Sequence, residues 1–403
     1  MGEAIISRRG GGGILKITGQ TEEIVRFGEA INKYDPVYVK FDATKLSGPS
    51  TLPAGTGRGV TFDSTGTYLA VAHNSYPYIT IYKRSGDTFT KLPDPSTLPT
   101  FNAYGVTFDS TGTYLAVAHS VDPYITIYKR NQDTFTKLPG PSTLPAGDAY
   151  GGAAFDPTGT YLVVAHRSYP YITIYKRNED TFTKLSNPST SPASHAYGVA
   201  FDRTGTYLAV AHLDSPYITI YRRNQDTFMK LPSPAILPAS DAYGVAFDPT
   251  GTYLAVADSS ITIYKRSWDT FTKLPDPSTL PMGGHGVTFD STGMYLAVAH
   301  YSDPYITIYR RSGDTFTKLP DPAILPASHG WGVAFDPTGM YLAVAHSSDP
   351  YAAEHQYITI YLTTACFKTD LMSDVSIAAA LRAGYAKESG IAGEYKKIVV
   401  VFR

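Results

Sequence analysis

Six histidines, His73, His119, His166, His212, His300 and His346, each close a Tyr-Leu-Ala/Val-Val-Ala-His stretch, and Asp258 holds the equivalent place in a seventh copy. Imidazoles recurring at one level could gather a metal ion or an anion, or each could cap its own loop by hydrogen bonds. Zinc–nitrogen bonds of about 2.0–2.1 Å demand close convergence, which side chains fixed deep in separate copies do not achieve. Capping is therefore the expected role, and neither a metal nor another cofactor is expected. A second set stands immediately before a recurring glycine: Arg58, Tyr104, Tyr150, Tyr197, Tyr243, His285 and Trp331. Asn102, Asp148, His195, Asp241 and His329 lie two residues earlier in their copies. Aromatic and polar groups gathered at one mouth can stack on a small ligand and hydrogen-bond to it. The candidate binding residues are Tyr104, Tyr150, His195, Tyr197, Tyr243, His285, His329 and Trp331. Exposed loops also accept change cheaply, and drift is the competing explanation. No G-x-S-x-G, H-E-x-x-H, P-loop or C-x-x-C pattern occurs, so no catalytic residue is expected.

The elements that must position these residues come from a repeat. Gly105–Leu138 has close copies starting at Gly59, Gly151, Gly198, Gly244, Gly286 and Gly332, spaced 46, 46, 47, 46, 42 and 46 residues apart. In the second copy Val106–Phe108 is a short strand, and Asp109-Ser110-Thr111-Gly112 is a tight turn with Gly112 free to take positive φ. Tyr114–Ala118 is almost wholly apolar, as a strand covered on both faces must be. Tyr124–Tyr128 alternates, the pattern of a half-exposed strand. Asn131–Asp133 turns the chain into Thr134–Leu138. Four antiparallel strands in about 45 residues make one blade of a β-propeller. The recurring tyrosines, such as Tyr68, Tyr78 and Tyr82, are expected to pack blades together, and they explain most of the 32 in the chain.

Composition narrows the partners. Formal charge is −1 across 403 residues, so no general basic surface awaits nucleic acid or anionic lipid. No apolar run reaches the roughly 18–20 residues of a membrane span. Met1–Gly13 lacks the apolar core of a signal peptide, and Cys366 is the single cysteine. These features lead to the expectation of a soluble chain without membrane insertion.

The F-D-x-T-G-x-Y-L-A-V-A and Ile-Thr-Ile-Tyr segments resemble the blade core of the WD-repeat and YVTN propellers over roughly residues 39–361. In the seventh copy the Asp-Thr-Phe-Thr-Lys-Leu strand is missing after Tyr361. Its counterpart, Phe41–Leu46, precedes the first copy and runs into Ser47–Pro53, which matches Pro139–Pro145 closely. Residues 41–46 are therefore expected to form the outer strand of the last blade, removing two exposed sheet edges. Both termini would then leave the ring at one blade. The expected fold is all-β: a seven-bladed β-propeller over 41–361 closed by an N-terminal strand, an N-terminal arm over 1–13, and a small β module from 14–40 and 362–403. Within that module, 374–383 is expected to be a short helix and 397–402 a strand.

GEAINKYDPVYVK and GYAKESGIAGEYKKIVVVF resemble small β modules of tailed-bacteriophage tail fibres and capsid decoration proteins. That resemblance implies a non-enzymatic virion structural protein, anchored by its ends and displaying the propeller. Its implied partners are other virion proteins and host surface glycans, with homo-oligomers in the particle and the virion as location. Two other functions are weighed: a lactonase-like propeller enzyme, tested by metal-dependent ester or lactone hydrolysis lost on changing His119 and His166, and a WD-type interaction scaffold. Near-identical blades, which offer one group seven times, speak against an enzyme.

Overall fold

The computed structural model describes residues 43–348 and 356–363 with their side chains. It also describes the backbone of the strands Ile5–Arg8, Gly13–Lys16, Ile24–Phe27, Val37–Lys45 and Ile358–Thr369. The chain divides into two units, residues 44–362 and residues 1–43 with 363–403. In the second unit Ile5–Arg8, Gly13–Lys16 and Ile24–Phe27 form a three-stranded antiparallel sheet. A strand thus lies within the segment expected as a plain arm. The expected helix at 374–383 and strand at 397–402 lie outside the described residues.

Residues 44–362 form the propeller. Each blade is a four-stranded antiparallel sheet, with strands at Ala103–Phe108, Tyr114–His119, Ile125–Asn131 and Thr134–Lys137 in blade two. The described residues contain no helix. The second strand is buried along its whole length, as its apolar run requires. The third is buried over Ile125–Tyr128 and then emerges at Lys129. The outer strand buries only Phe135 of its four residues. Alternate side chains of neighbouring blades interlock between the sheets: Tyr68, Ala70 and Ile81 of blade one join Phe108, Leu115 and Phe135 of blade two in one cluster.

The repeated turn after the first strand is built by its aspartate. Asp109 Oδ1 accepts the Tyr114 amide at 2.8 Å, and Oδ2 accepts the Thr111 hydroxyl at 2.6 Å. Gly112 takes a φ of +66°, which only glycine adopts at little cost. Blades are latched at the rim. The Tyr68 hydroxyl donates to Asp133 of blade two at 2.5 Å, Lys83 pairs with the same carboxylate at 2.8 Å, and the Arg130 guanidinium lies 4.4 Å from the Tyr68 ring centre. The tyrosine–aspartate bond recurs at Tyr114–Asp180, Tyr161–Asp226, Tyr207–Asp269, Tyr253–Asp314 and Tyr341–Asp87.

Blade seven consists of Gly330–Phe335, Tyr341–His346, Ile358–Thr369 and Val37–Lys45 in that order. The Leu46 amide donates to the Ile360 carbonyl at 2.8 Å, continuing the ladder. Closure by an N-terminal strand is therefore observed, and the strand begins four residues before the expected Phe41. The Tyr341–Asp87 latch joins the last blade to the first at 2.6 Å.

Candidate functional site

The innermost strands approach one another closely because a glycine stands in or just before each of them. A Cβ on Gly105 would lie 2.4 Å from the Gly152 Cα, and one on Gly332 would lie 2.8 Å from the Arg58 carbonyl. This close approach brings the residues just before the glycines into one ring at the mouth. Tyr104 and Tyr150 stand 4.1 Å apart between ring centres, Tyr197 and Tyr243 5.3 Å, Tyr243 and His285 4.8 Å, and His285 and Trp331 4.5 Å. Two arginines complete the ring. The Arg58 guanidinium lies 4.2 Å from the Trp331 ring centre and 5.8 Å from that of Tyr104. Arg167 lies 4.1 Å from the Tyr150 ring centre and donates to the Tyr197 hydroxyl at 2.8 Å. Such stacked and cation–π pairs contribute about 0.5–1.5 kcal/mol each beyond burial, so the rosette is preorganised.

Six of the eight candidate binding residues, Tyr104, Tyr150, Tyr197, Tyr243, His285 and Trp331, meet in this rosette. His195 and His329 do not. His195 is exposed and lies 6.0 Å from the Tyr171 ring centre, while His329 stacks on Tyr301 at 3.7 Å, on loops outside the ring. The two variable loops do share a face: the Ser120 amide donates to the Asn102 carbonyl, and the Leu213 amide to the His195 carbonyl. The longer loop of blade seven, over 349–355, lies outside the described residues.

The six repeated histidines are fully buried, at 0–1% exposure. Each Nε2 meets the threonine hydroxyl of its own third strand, as in His119–Thr126 at 3.0 Å and His346–Thr359 at 2.9 Å. His119 Nδ1 also meets the Val121 carbonyl at 2.8 Å. Burial lowers all six pKa values to about 4, so they are neutral at physiological pH. All six are tied to a strand of their own blade, and His119 and His346 also cap a loop carbonyl through Nδ1. Among the described residues no group of three or more His, Cys, Asp or Glu is placed to hold a metal.

One place breaks the symmetry. From Ala257 to Ile261 blade five has three residues fewer than Ala211 to Ile218 of blade four, and Pro281–Gly286 is one residue shorter than its counterpart Pro145–Gly151. Together these deletions give the 42-residue spacing, and both fall at the junction of blades five and six. They leave a cleft of about 480 Å³ lined by Asp241, Tyr243, Ser259, Met282, His285 and Tyr301, among others. Asp258 holds its floor. Its carboxylate accepts the Thr262 hydroxyl at 2.8 Å, the Ala239 amide at 3.0 Å and the Ser260 amide at 2.8 Å, replacing the histidine cap in a shorter loop. His285 is pushed down to about pKa 4 by burial first and by Arg58 second, so it offers a neutral imidazole. Burial, then the Asp241 charge, raises the Tyr243 phenol. The residue comparison alone listed Tyr243 and His285, noted Asp241 beside them without listing it, and did not list Ser259, Met282 or Tyr301, which also line the cleft. The short 42-residue interval is the signal that marks them.

At the opposite mouth a cavity of about 330 Å³ is lined by Phe62, Phe108, Phe289 and Phe335 with the turn aspartates Asp63, Asp109, Asp290 and Asp336. Those carboxylates are occupied in their own turns.

A family model described as lactonase, 7-bladed beta-propeller, matches residues 140–247, which hold blades three and four. Among solved structures, a candidate 6-phosphogluconolactonase from Bacteroides uniformis is similar at 15% identity, with a TM-score of 0.58, over 69% of this chain and 88% of that one. None of the curated proteins matches the chain. The structural likeness shows the propeller fold. The family-model match overturns the expectation of a non-enzymatic virion protein located in a virion, since the model it meets is that of a lactonase propeller. The physical reason is the junction of blades five and six. The ring does not offer one group seven times but gathers different groups at one broken repeat.

Proposed function

We propose that this chain is a lactonase-like enzyme whose site is the cleft between blades five and six. One observation carries this reading: the two deletions and the replacements at Asp258, Met282, His285 and Tyr301 converge on a single pocket. A catalytic site needs different groups around one substrate, and here the otherwise repetitive ring supplies them. The lactonase match to blades three and four supports the same class.

In the proposed reaction His285 is the general base. Its neutral imidazole takes a proton from a water that attacks the lactone carbonyl. The acyl C–O bond of the ring then breaks, and the proton passes to the departing alkoxide, giving the hydroxy acid. Tyr243 and Ser259 carry hydroxyls that can donate to the carbonyl oxygen as it becomes negative. His119 and His166, the pair whose change would have discriminated an enzyme, are buried and bonded to Thr126 and Thr173; changing them would test stability rather than chemistry. A positioned general base contributes about 10²–10⁴-fold. His285→Gln is therefore expected to lower kcat on a lactone by about a hundredfold or more, with the circular dichroism spectrum retained. An unchanged kcat in a folded variant would remove His285 from the mechanism.

A further inference from the structure

We infer that the cleft selects an uncharged lactone over a phosphorylated or otherwise anionic one; this rests on the lactonase reading of the same site. The inference departs from the substrate named for the Bacteroides uniformis protein, which carries a phosphate. It starts from the charges facing the cleft. Among its lining residues none is Lys or Arg, while Asp241 and Asp258 are both acids. Asp258 is buried with its oxygens engaged by Ala239, Ser260 and Thr262. Asp241 is exposed beside Tyr243, and its charge helps to raise that phenol. An incoming phosphate, near −2 at neutral pH, would meet a carboxylate and no paired cation. Like charges brought together without a cation between them disfavour each other.

Neither cation of the rosette lines the cleft, although the Arg58 charge is felt at His285. Arg58 lies beyond His285 and Trp331 in the ring order, stacked on Trp331. Arg167 is held between Tyr150 and Tyr197, on the far side of Tyr243. The lip of the cleft is apolar instead: Met282 is 70% exposed and Tyr301 51%. Met282 replaces the alanine found at Ala146, Ala193 and Ala239, and Tyr301 is held in place by its stack on His329. An exposed thioether and a fixed aromatic face suit the ring or a short apolar substituent of a neutral lactone. Asp241 is then a specificity-determining residue.

Binding and turnover separate this inference from the lactonase reading. The probes are gluconolactam and its 6-phosphate, non-hydrolysable analogues of a lactone with and without the phosphate, titrated calorimetrically into the full chain. The expected result is binding of the neutral lactam at least tenfold tighter than its phosphate. Asp241→Lys should shift that ratio toward the phosphate by a further tenfold or more, and Asp241→Asn by a smaller factor in the same direction. Tighter binding of the phosphate by the unaltered protein overturns the inference, as does binding of neither lactam, or a ratio that Asp241→Lys leaves unmoved. Hydrolysis of the two corresponding lactones is followed in parallel by pH-stat. Preferential binding of the neutral lactam without any turnover would overturn the lactonase reading and leave the charge selection standing.

Discussion

The buried histidines make the propeller acid-labile well above the carboxylate range. His73, His119, His166, His212, His300 and His346 are lowered to about pKa 4 in the folded chain, with desolvation as the first cause. In the unfolded chain each has an ordinary value near 6.5. The folded state therefore stays unprotonated between about pH 6.5 and 4 while the unfolded state takes up protons. Stability is fully present above about pH 6.5 and is lost as pH falls through this window. At about pH 5 each histidine has cost about 2 kcal/mol, and six together about 12 kcal/mol. That equals the whole stability of a typical domain, about 5–15 kcal/mol. The aspartates of the rim latches do not blur this window. Asp133, Asp180, Asp226 and Asp314 are held below their ordinary value first by Lys83, Lys129, Lys176 and Lys265. Their contribution is present above the unfolded carboxylate pKa and is lost only at lower pH. The assay is urea unfolding, followed by far-UV circular dichroism and tryptophan fluorescence, at steps from pH 7.5 to 5. The urea midpoint should fall steeply below about pH 6.5, with cooperative unfolding without denaturant near about pH 5. His119→Asn should weaken the pH dependence by about one proton. A midpoint that is flat from pH 7.5 to 5.5 would refute the reasoning.

Three further outcomes follow from the architecture. Inserting Leu-Asp-Ser-Pro-Tyr in place of Ser259-Ser260, so that blade five regains the length of blade four, should close the cleft and abolish ligand binding while the thermal midpoint changes little; retained binding would move the site elsewhere. Gly105→Ala forces a Cβ to 2.4 Å from the Gly152 Cα, so calorimetry should show a loss of about 2 kcal/mol or more, and an unchanged midpoint would contradict the close packing of the inner strands. Removing residues 1–46 deletes the outer strand of blade seven and leaves Ile358–Tyr361 as an open edge. Size-exclusion chromatography should then show association, and a stable monomer would contradict closure by that strand.

Most of the propeller is legible in the sequence because its elements are set locally. The period-two and all-apolar patterns recur in each copy, and the Asp-x-Thr-Gly turn carries its own hydrogen bonds within five residues. Closure is legible too, since Phe41–Leu46 supplies the segment that the last copy lacks. The rosette shows through as the positions where nearly identical blades differ. The cleft does not, because matching residue types position by position hides a change in loop length. Three residues missing after Asp258 and one missing before His285 act together only once the ring sets blades five and six side by side. Arg58, in the first strand of blade one, and Arg167, in the loop after His166, complete the rosette, and their stacking on Trp331 and Tyr150 has no signature along the chain. The virion reading came from the ends of the chain, whereas the broken repeat lies in the middle.

The most direct test is hydrolysis itself. Purified full-length chain would be assayed by pH-stat at pH 7.5 against neutral δ- and γ-lactones, alongside His285→Gln and the buried-cap variant His166→Asn. Turnover above the spontaneous rate that falls about a hundredfold or more in His285→Gln, and that persists in folded His166→Asn, is the predicted result. Absence of turnover by the unaltered protein, or equal turnover by His285→Gln, would contradict a lactonase site between blades five and six.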